Sequence, residues 1–118
     1  MDAQRMVLQE EKRRLLERLA EIEIEQQREA GMFQSVPHFS LLEQAARGLG
    51  QELGRITQQR SAREVAATSK STADCPGCGH ECSITMSKRT VTSLDGPVEM
   101  IEPVAHCPAC RRDFFPAA

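Results

Sequence analysis

CPGCGHEC at residues 75–82 and HCPACRR at 106–112 are the stretches of this chain that decide its fold. Together they hold all five cysteines, and each contains one pair of cysteines separated by two residues. A tight turn of that spacing directs two thiolates toward one ion, and two such turns complete a tetrahedral site that suits Zn²⁺. The predicted metal ligands are Cys75, Cys78, Cys107 and Cys110.

The residues between the two cysteine pairs are patterned as a β-hairpin. KRTVTSL at 88–94 and PVEMIEPVAH at 97–106 have β-branched residues near every second position, and Asp95-Gly96 between them is a hairpin signal. Two cysteine knuckles around a hairpin are the plan of a zinc ribbon, which we predict for residues 75–118. An iron ion would use the same four thiolates, so the metal stays open between zinc and iron.

The remaining cysteine, Cys82, and one nearby histidine, His106, are predicted to stay outside the site. Cys82 lies past the turn of the first knuckle and is interpreted as a spare thiol. His106 should face away from the metal because side chains alternate along a strand, and the pattern leaves the role of His80 open. A redox C-x-x-C motif would need a βαβ unit, and an odd number of cysteines fits a disulfide framework poorly.

The composition favours a small, non-catalytic, intracellular protein. The chain has 118 residues with no Trp and no Tyr, so a large core is not expected. All four predicted ligands come from protein, which leaves no coordination position for a substrate, and the zinc is predicted to be structural. No motif indicates an enzyme or a small-molecule substrate. No leader pattern and no membrane-spanning apolar run is present, so we expect a cytoplasmic protein without membrane contact.

Residues 2–30 are predicted to form a first helix, because the segment has no Gly or Pro and consists largely of strong helix formers. Leu8, Leu15 and Ile22 recur every seven residues and form one apolar stripe along it. Polar residues such as Lys12 interrupt the stripe, so the pattern supports a long coiled coil only weakly.

Residues 40–66 are predicted to form a second helix, with Ser40 and Glu43 as a capping box at its start. The two apolar faces predict a helical hairpin over residues 1–67, completed by homodimerisation. The polar segment 68–74 is interpreted as a linker. The predicted fold class is therefore α+β, with a helical region followed by a small zinc ribbon.

The charge balance gives little support to nucleic-acid binding. The net charge is −2, and from residue 75 onward four Lys and Arg side chains stand against five Asp and Glu. Four thiolates with one Zn²⁺ would add a formal charge of about −2. Only local clustering beside the two knuckles favours phosphate contacts, and ordinary surface cations explain the same residues equally well. The candidate nucleic-acid contacts are Lys88, Arg89, Arg111 and Arg112.

The order of four segments along the chain is characteristic. The segments are HFSLLEQAARGLGQEL at 38–53, CPGCG at 75–79, RTVTSLDGPVEMIEP at 89–103 and CPACRRDFFP at 107–116. This order resembles the N-terminal zinc-ribbon region of bacterial insertion-sequence transposases of the ISKra type. The resemblance covers residues 33–116. No single motif is specific, because C-P-x-C occurs in many ribbons, and the ordered combination carries the resemblance.

The resemblance implies a ribbon that helps a transposase to engage the DNA ends of its element or to assemble. Such transposases continue into an acidic-triad nuclease domain, so we expect this chain, which stops at Ala118, to be a truncated module without catalysis. The first hypothesis is thus a nucleic-acid-binding or assembly part of a transposase-like protein. The second is a zinc-stabilised protein–protein interaction adaptor without DNA contact, which the missing positive charge favours.

Overall fold

The computed structural model describes residues 2–116, and it confirms the predicted α+β class with two helices followed by an antiparallel sheet of four strands. The strands lie in the sheet in their chain order. Over residues 2–116, neither helix combines the length and the apolar composition that a bilayer crossing requires. The elements are α1 Asp2–Glu29, α2 Phe39–Ala67, β1 Thr72–Asp74, β2 Glu81–Ser93, β3 Gly96–Cys107 and β4 Arg112–Phe114.

The chain divides into two compact units, and the division falls inside α2 between Leu49 and Gly50. The first unit therefore contains α1 and the start of α2, and the second contains the rest of α2 and the sheet. The strand β1 lies in the second half of the segment 68–74 that was interpreted as a linker.

The helix α1 has no buried residue. Its surface carries ion pairs three or four residues apart, and at its end the Met32 N–H donates to the Gln27 carbonyl over 3.0 Å in a Schellman-type closure. The structure thus shows the first helix, and it does not confirm a helical hairpin with α2. The ion pairs are Glu10–Arg13, Arg13–Glu17, Arg18–Glu21 and Glu25–Arg28.

The helix α2 begins one residue before the predicted start, and its N-cap differs from the predicted one. His38 Nδ1 accepts a hydrogen bond of 3.2 Å from the Ser40 N–H, and the His38 carbonyl accepts one of 2.9 Å from the Leu41 N–H. Ser40 already lies inside the helix, with its hydroxyl 2.9 Å from the same His38 nitrogen. The capping box predicted at Ser40 is therefore wrong, because the preceding histidine takes the capping position.

The long hairpin of β2 and β3 keeps one register from Ile84↔Ala105 to Ser93↔Gly96. Its loop consists of Leu94 and Asp95, and the positive φ of 108° falls on Gly96, the residue after the loop. The predicted turn at Asp95-Gly96 is therefore displaced by one residue. Glycine adopts this positive φ without a Cβ penalty.

The second half of α2 is bound to the tip of this hairpin by polar contacts. Arg55 Nη1 donates to the Asp95 carbonyl over 2.7 Å, and Gln58 Nε2 donates to Asp95 Oδ2 over 2.9 Å. Further along, the Glu99 N–H donates to Gln59 Oε1 over 3.0 Å. A Cβ on Gly54 would lie 2.8 Å from Asp95 Cγ, so this helical glycine makes room for the aspartate. Gly54 thus allows α2 to approach the tip of the hairpin closely.

The buried core of the second unit is small. Ala62 and Ala66 are the buried residues of α2, and Val98 is the most buried side chain near the hairpin tip. A separate cluster surrounds the cysteines at the other end of the hairpin, and Phe114 packs against it from β4. The buried members of that cluster are Cys75, Cys82, Ala105 and Cys107.

Candidate metal centre

The first cysteine knuckle follows β1 directly. The Cys75 N–H donates to the His80 carbonyl over 2.9 Å, and the Gly79 N–H donates to the Cys75 carbonyl over 2.8 Å. These bonds close a tight turn in which the Gly77 N–H points at Cys75 Sγ from 3.4 Å. Gly79 has φ of 77°, a left-handed conformation that glycine adopts without a Cβ penalty.

The second knuckle repeats this geometry at the junction of β3 and β4. The Arg111 N–H donates to the Cys107 carbonyl over 2.7 Å, and the Cys110 N–H points at Cys107 Sγ from 3.4 Å. Arg111 stands where Gly79 stands in the first knuckle and has φ of 56°. The two knuckles are therefore alike in backbone conformation, although one uses glycine and the other arginine at the left-handed position.

The two knuckles bring four sulfurs together. The Sγ atoms of the four cysteines in the C-x-x-C pairs all lie within 4.8 Å of one another. Cys75 Sγ lies 3.8 Å from Cys110 Sγ, and Cys78 Sγ lies 3.5 Å from Cys107 Sγ. A tetrahedral ion with metal–sulfur bonds of about 2.3 Å requires sulfurs roughly 3.8 Å apart. All four thiols are free, and the separations far exceed a disulfide bond. The cluster can therefore hold one metal ion.

Backbone amides favour the thiolate form at the first cysteine of each pair. The amide of Cys110 lowers the pKa of Cys107 to about 6, and the amides of Cys78 and Gly77 lower the pKa of Cys75. Hydrogen bonding to Cys78, and then to Cys75, raises the pKa of Cys110 to about 12. A metal ion bound here replaces the remaining thiol protons, because only thiolates act as ligands.

The fifth cysteine is a core residue beside the cluster. Cys82 is 3% exposed, and its thiol donates to the His80 carbonyl over 3.3 Å. Burial is the main cause that raises its pKa to about 11, so it stays protonated at neutral pH. His106 is exposed and lies 2.7 Å from an Asp113 carboxylate oxygen, on the side away from the sulfurs, as strand alternation predicted.

The structure does not bring the four candidate nucleic-acid contacts onto one face. Lys88 and Arg89 are consecutive strand residues and point to opposite faces of the hairpin. Arg89 donates two hydrogen bonds of 2.8 and 2.9 Å to Glu102 and lies 5.9 Å from the ring centroid of Phe115. Lys88 has a looser partner, with its Nζ 3.9 Å from Glu99.

Arg112 lies over the first knuckle. Its Nη2 is 2.9 Å from the point that a Cβ on Gly77 would occupy. The same point is 3.5 Å from Cys110 Sγ and 3.7 Å from Cys75 Sγ, so the guanidinium lies close to the sulfur cluster. This position was not predicted, because the pairing of β3 with β4 is what places Arg112 across the knuckle.

Compared with known proteins, the chain matches no family model, no curated protein and no solved structure.

Proposed function

We propose that this chain is a non-catalytic zinc-ribbon module whose metal is structural and whose role is to bind another protein. The observation that carries the proposal is the convergence of four sulfurs from two knuckles at tetrahedral spacing. Four protein ligands fill the coordination sphere, so the ion stabilises the fold and offers no position for a substrate. Zinc is favoured over iron because structural four-cysteine sites of this plan are typical of zinc.

Metal content measured beside thiol reactivity tests the zinc assignment. We expect one zinc ion and almost no iron per chain after purification. All five thiols should become reactive when a chelator is added, because Cys82 is buried in the same ribbon. Cys78→Ser should lower the zinc content, and Cys82→Ala should leave it unchanged, because Cys82 is not among the four converging sulfurs. Iron in place of zinc, or equal zinc loss in the two variants, would contradict the assignment.

The charges favour a protein partner over nucleic acid. Arg89 is held by Glu102, and Arg112 lies over Gly77 of the first knuckle. A metal-loaded cluster of four thiolates adds negative charge to a ribbon in which acids already outnumber bases. Bulk electrostatic attraction to phosphates is therefore weak.

A nucleic-acid-binding role in a transposase-like protein is the second candidate. It is favoured by the order of segments described for ISKra-type transposases, and by Lys88 and Arg111, two exposed cations of the ribbon. A gel-shift titration at low and moderate salt compares wild type with the double variant Lys88→Ala/Arg111→Ala. The matched control is Arg13→Ala/Arg18→Ala, which removes two cations from α1. Salt-sensitive binding that only the ribbon variant loses would support this candidate, and no binding by wild type would exclude it.

We further propose that α1 pairs with α1 of a second copy. Its apolar stripe is exposed, with Leu8 59%, Leu15 56% and Ile22 40% accessible to solvent. Apolar residues at seven-residue spacing are the pattern by which helices pair. The interruption at Lys12 indicates that this pairing is weak.

A further inference from the structure

The two outer edges of the long hairpin differ in whether their backbone N–H and C=O groups are blocked or free to pair with another strand. On the β3 edge, the Glu99 N–H points away from β2, because it donates to Gln59 of α2. Alternate residues of a strand direct their N–H groups to the same side, so Pro97 and Pro103 occupy positions whose N–H would also point outward. Prolines and a helix side chain therefore close this edge, and beyond them β4 pairs with β3.

The β2 edge is closed only at its start. β1 pairs with β2 through Ser83, and the Ile84 N–H donates outward to the Ser71 carbonyl over 2.9 Å. By the same alternation, four further residues direct their N–H and C=O groups outward. In the part of the chain that the structure describes, no strand pairs with them there, and all four are exposed. They are Met86, Lys88, Thr90 and Thr92.

This open edge has the sequence of a strand that can accept another. The segment from Ile84 to Ser93, ITMSKRTVTS, contains no Pro, no Gly and no acidic residue, and it is rich in β-branched residues. An exposed row of unpaired backbone groups is a template for an added strand. The β3 edge of the same hairpin is blocked by two prolines and a glutamine. The β2 edge has no such protection, which is what a binding surface for another strand requires.

The charge of the edge selects the kind of partner. Lys88 and Arg89 are the charged residues between Ile84 and Ser93, and Lys88 is only loosely paired with Glu99. Arg89 is already engaged by Glu102, so an acidic residue on an added strand would form its favourable cross-strand pair with Lys88. A second copy fits poorly, because its edge from Ile84 to Ser93 offers no acidic residue to pair with Lys88, and the pairing centred on Arg89 would place two Arg89 side chains opposite each other.

We infer that the open edge of β2, from Met86 to Thr92, is the docking site for an extended acidic peptide segment of a partner protein. The peptide adds to the sheet as a further strand beside β2. This inference rests on the proposed protein-binding function and names its surface and the chemistry of its partner. Main-chain hydrogen bonds supply the affinity, and Lys88 supplies the preference for acidic sequences.

A proline on the outward face of the edge tests the inference. Thr90→Pro removes an outward N–H and leaves the internal ladder to β3 intact, whereas Thr90→Val keeps the N–H and serves as the matched control. Lys88→Glu reverses the charge of the edge. The probes are two labelled peptides of about nine residues, the length of an edge strand. Both alternate Thr and Val, and they carry either two Asp or two Lys at the centre.

We expect wild type and Thr90→Val to prefer the acidic peptide by about tenfold in Kd at low salt. Thr90→Pro should weaken that binding at least about tenfold, and Lys88→Glu should shift the preference toward the basic peptide. Zinc content and the circular dichroism of each variant are measured on the same samples. If Thr90→Pro fails to fold, Thr92→Pro replaces it, and Lys88→Glu still tests the charge preference.

Three outcomes would overturn the inference. The first is no binding of either peptide up to about 1 mM, or equal binding by wild type and a folded proline variant. The second is duplex DNA binding that Lys88→Glu removes and Thr90→Pro does not affect, which would assign the cations to nucleic acid. The third is self-association lost in Thr90→Pro, which would assign the edge to a second copy. Retained zinc in any of these cases would leave the metal assignment standing.

Discussion

The helix α1 and the ribbon are each stabilised by a different kind of contact. Over 28 residues α1 buries none, and its ion pairs join residues three or four apart. The ribbon from Cys75 onward contains five of the seven residues that are buried within the described range 2–116, and its contacts join distant positions such as Cys75 and Cys110. The contacts of α1 join neighbours along the chain and form together with the helix. The ribbon instead depends on two distant knuckles meeting at the sulfur cluster. We therefore expect the metal to be required for the folding of the ribbon and not for that of α1.

Removing the metal is the strongest way to separate the two regions. Structural zinc in small domains contributes an apparent free energy of about 10–16 kcal/mol, and the ribbon has too small a core to fold without it. We expect chelation or Cys107→Ser to abolish the amide signals of β2 and β3 in NMR spectra. The helical signals of α1 should persist, because its ion pairs lie within the helix itself.

Cys82→Ala is the control for this comparison. It removes a buried thiol that is not one of the four converging sulfurs, so we expect a loss of roughly 1 kcal/mol from the cavity and an intact sheet. A sheet that survives chelation in wild type would show that the ribbon folds without metal. Loss of the α1 signals together with the sheet would show that the two regions are not independent.

The next effect concerns the charge beside the cluster. Arg112→Ala removes the guanidinium near the sulfurs, and we expect zinc affinity to fall by about tenfold, as for other residues that support metal ligands. Zinc competition with a chromophoric chelator measures this change. Arg111→Ala is the matched control from the adjacent position, and it should leave affinity within about twofold. Equal losses in the two variants would assign the effect to total charge and not to the position of Arg112.

A pair of glycines in α2 gives a smaller effect. Gly50→Ala adds a Cβ with nothing within 4 Å, so we expect it to stabilise the chain by up to about 1 kcal/mol through helix propensity. Gly54→Ala places the same Cβ against the Asp95 carboxylate and displaces its bond to Gln58. That loss of about 1 kcal/mol offsets the gain. Urea unfolding monitored on the hairpin should therefore separate the two variants, and equal stabilisation would show that α2 does not bind the hairpin tip.

The smallest effect on stability is expected in α1. Leu15 is 56% exposed, so Leu15→Ala should change the free energy of unfolding of the monomer by less than about 0.5 kcal/mol. At high protein concentration the same variant should weaken self-association, which sedimentation velocity measures. Glu10→Ala, on the polar side of the helix, is the control. An unchanged association constant in Leu15→Ala would contradict pairing through the stripe.

The sequence predicted the four metal ligands more accurately than the hairpin loop and the strand around them. The C-x-x-C spacing and the hairpin pattern between the pairs are local signals, and the structure brings those four sulfurs together. The turn signal located the hairpin but missed its loop by one residue, because Asp95-Gly96 fits more than one kind of turn. The strand β1 was not predicted, since three residues carry no measurable period and form a strand only by pairing with β2.

The sequence by itself determined the two helices, the cysteine pairs and the hairpin, because each depends on residues that are close along the chain. Only the tertiary structure decided which cations are already engaged and which sheet edge is open. Glu102 and Arg89 are thirteen positions apart, and Gln59 and Glu99 are forty apart. Contacts at such separations leave no periodic mark in a single sequence. They arise when the knuckles close the ribbon and α2 meets the hairpin, and they distinguish a blocked strand from one that can accept a partner.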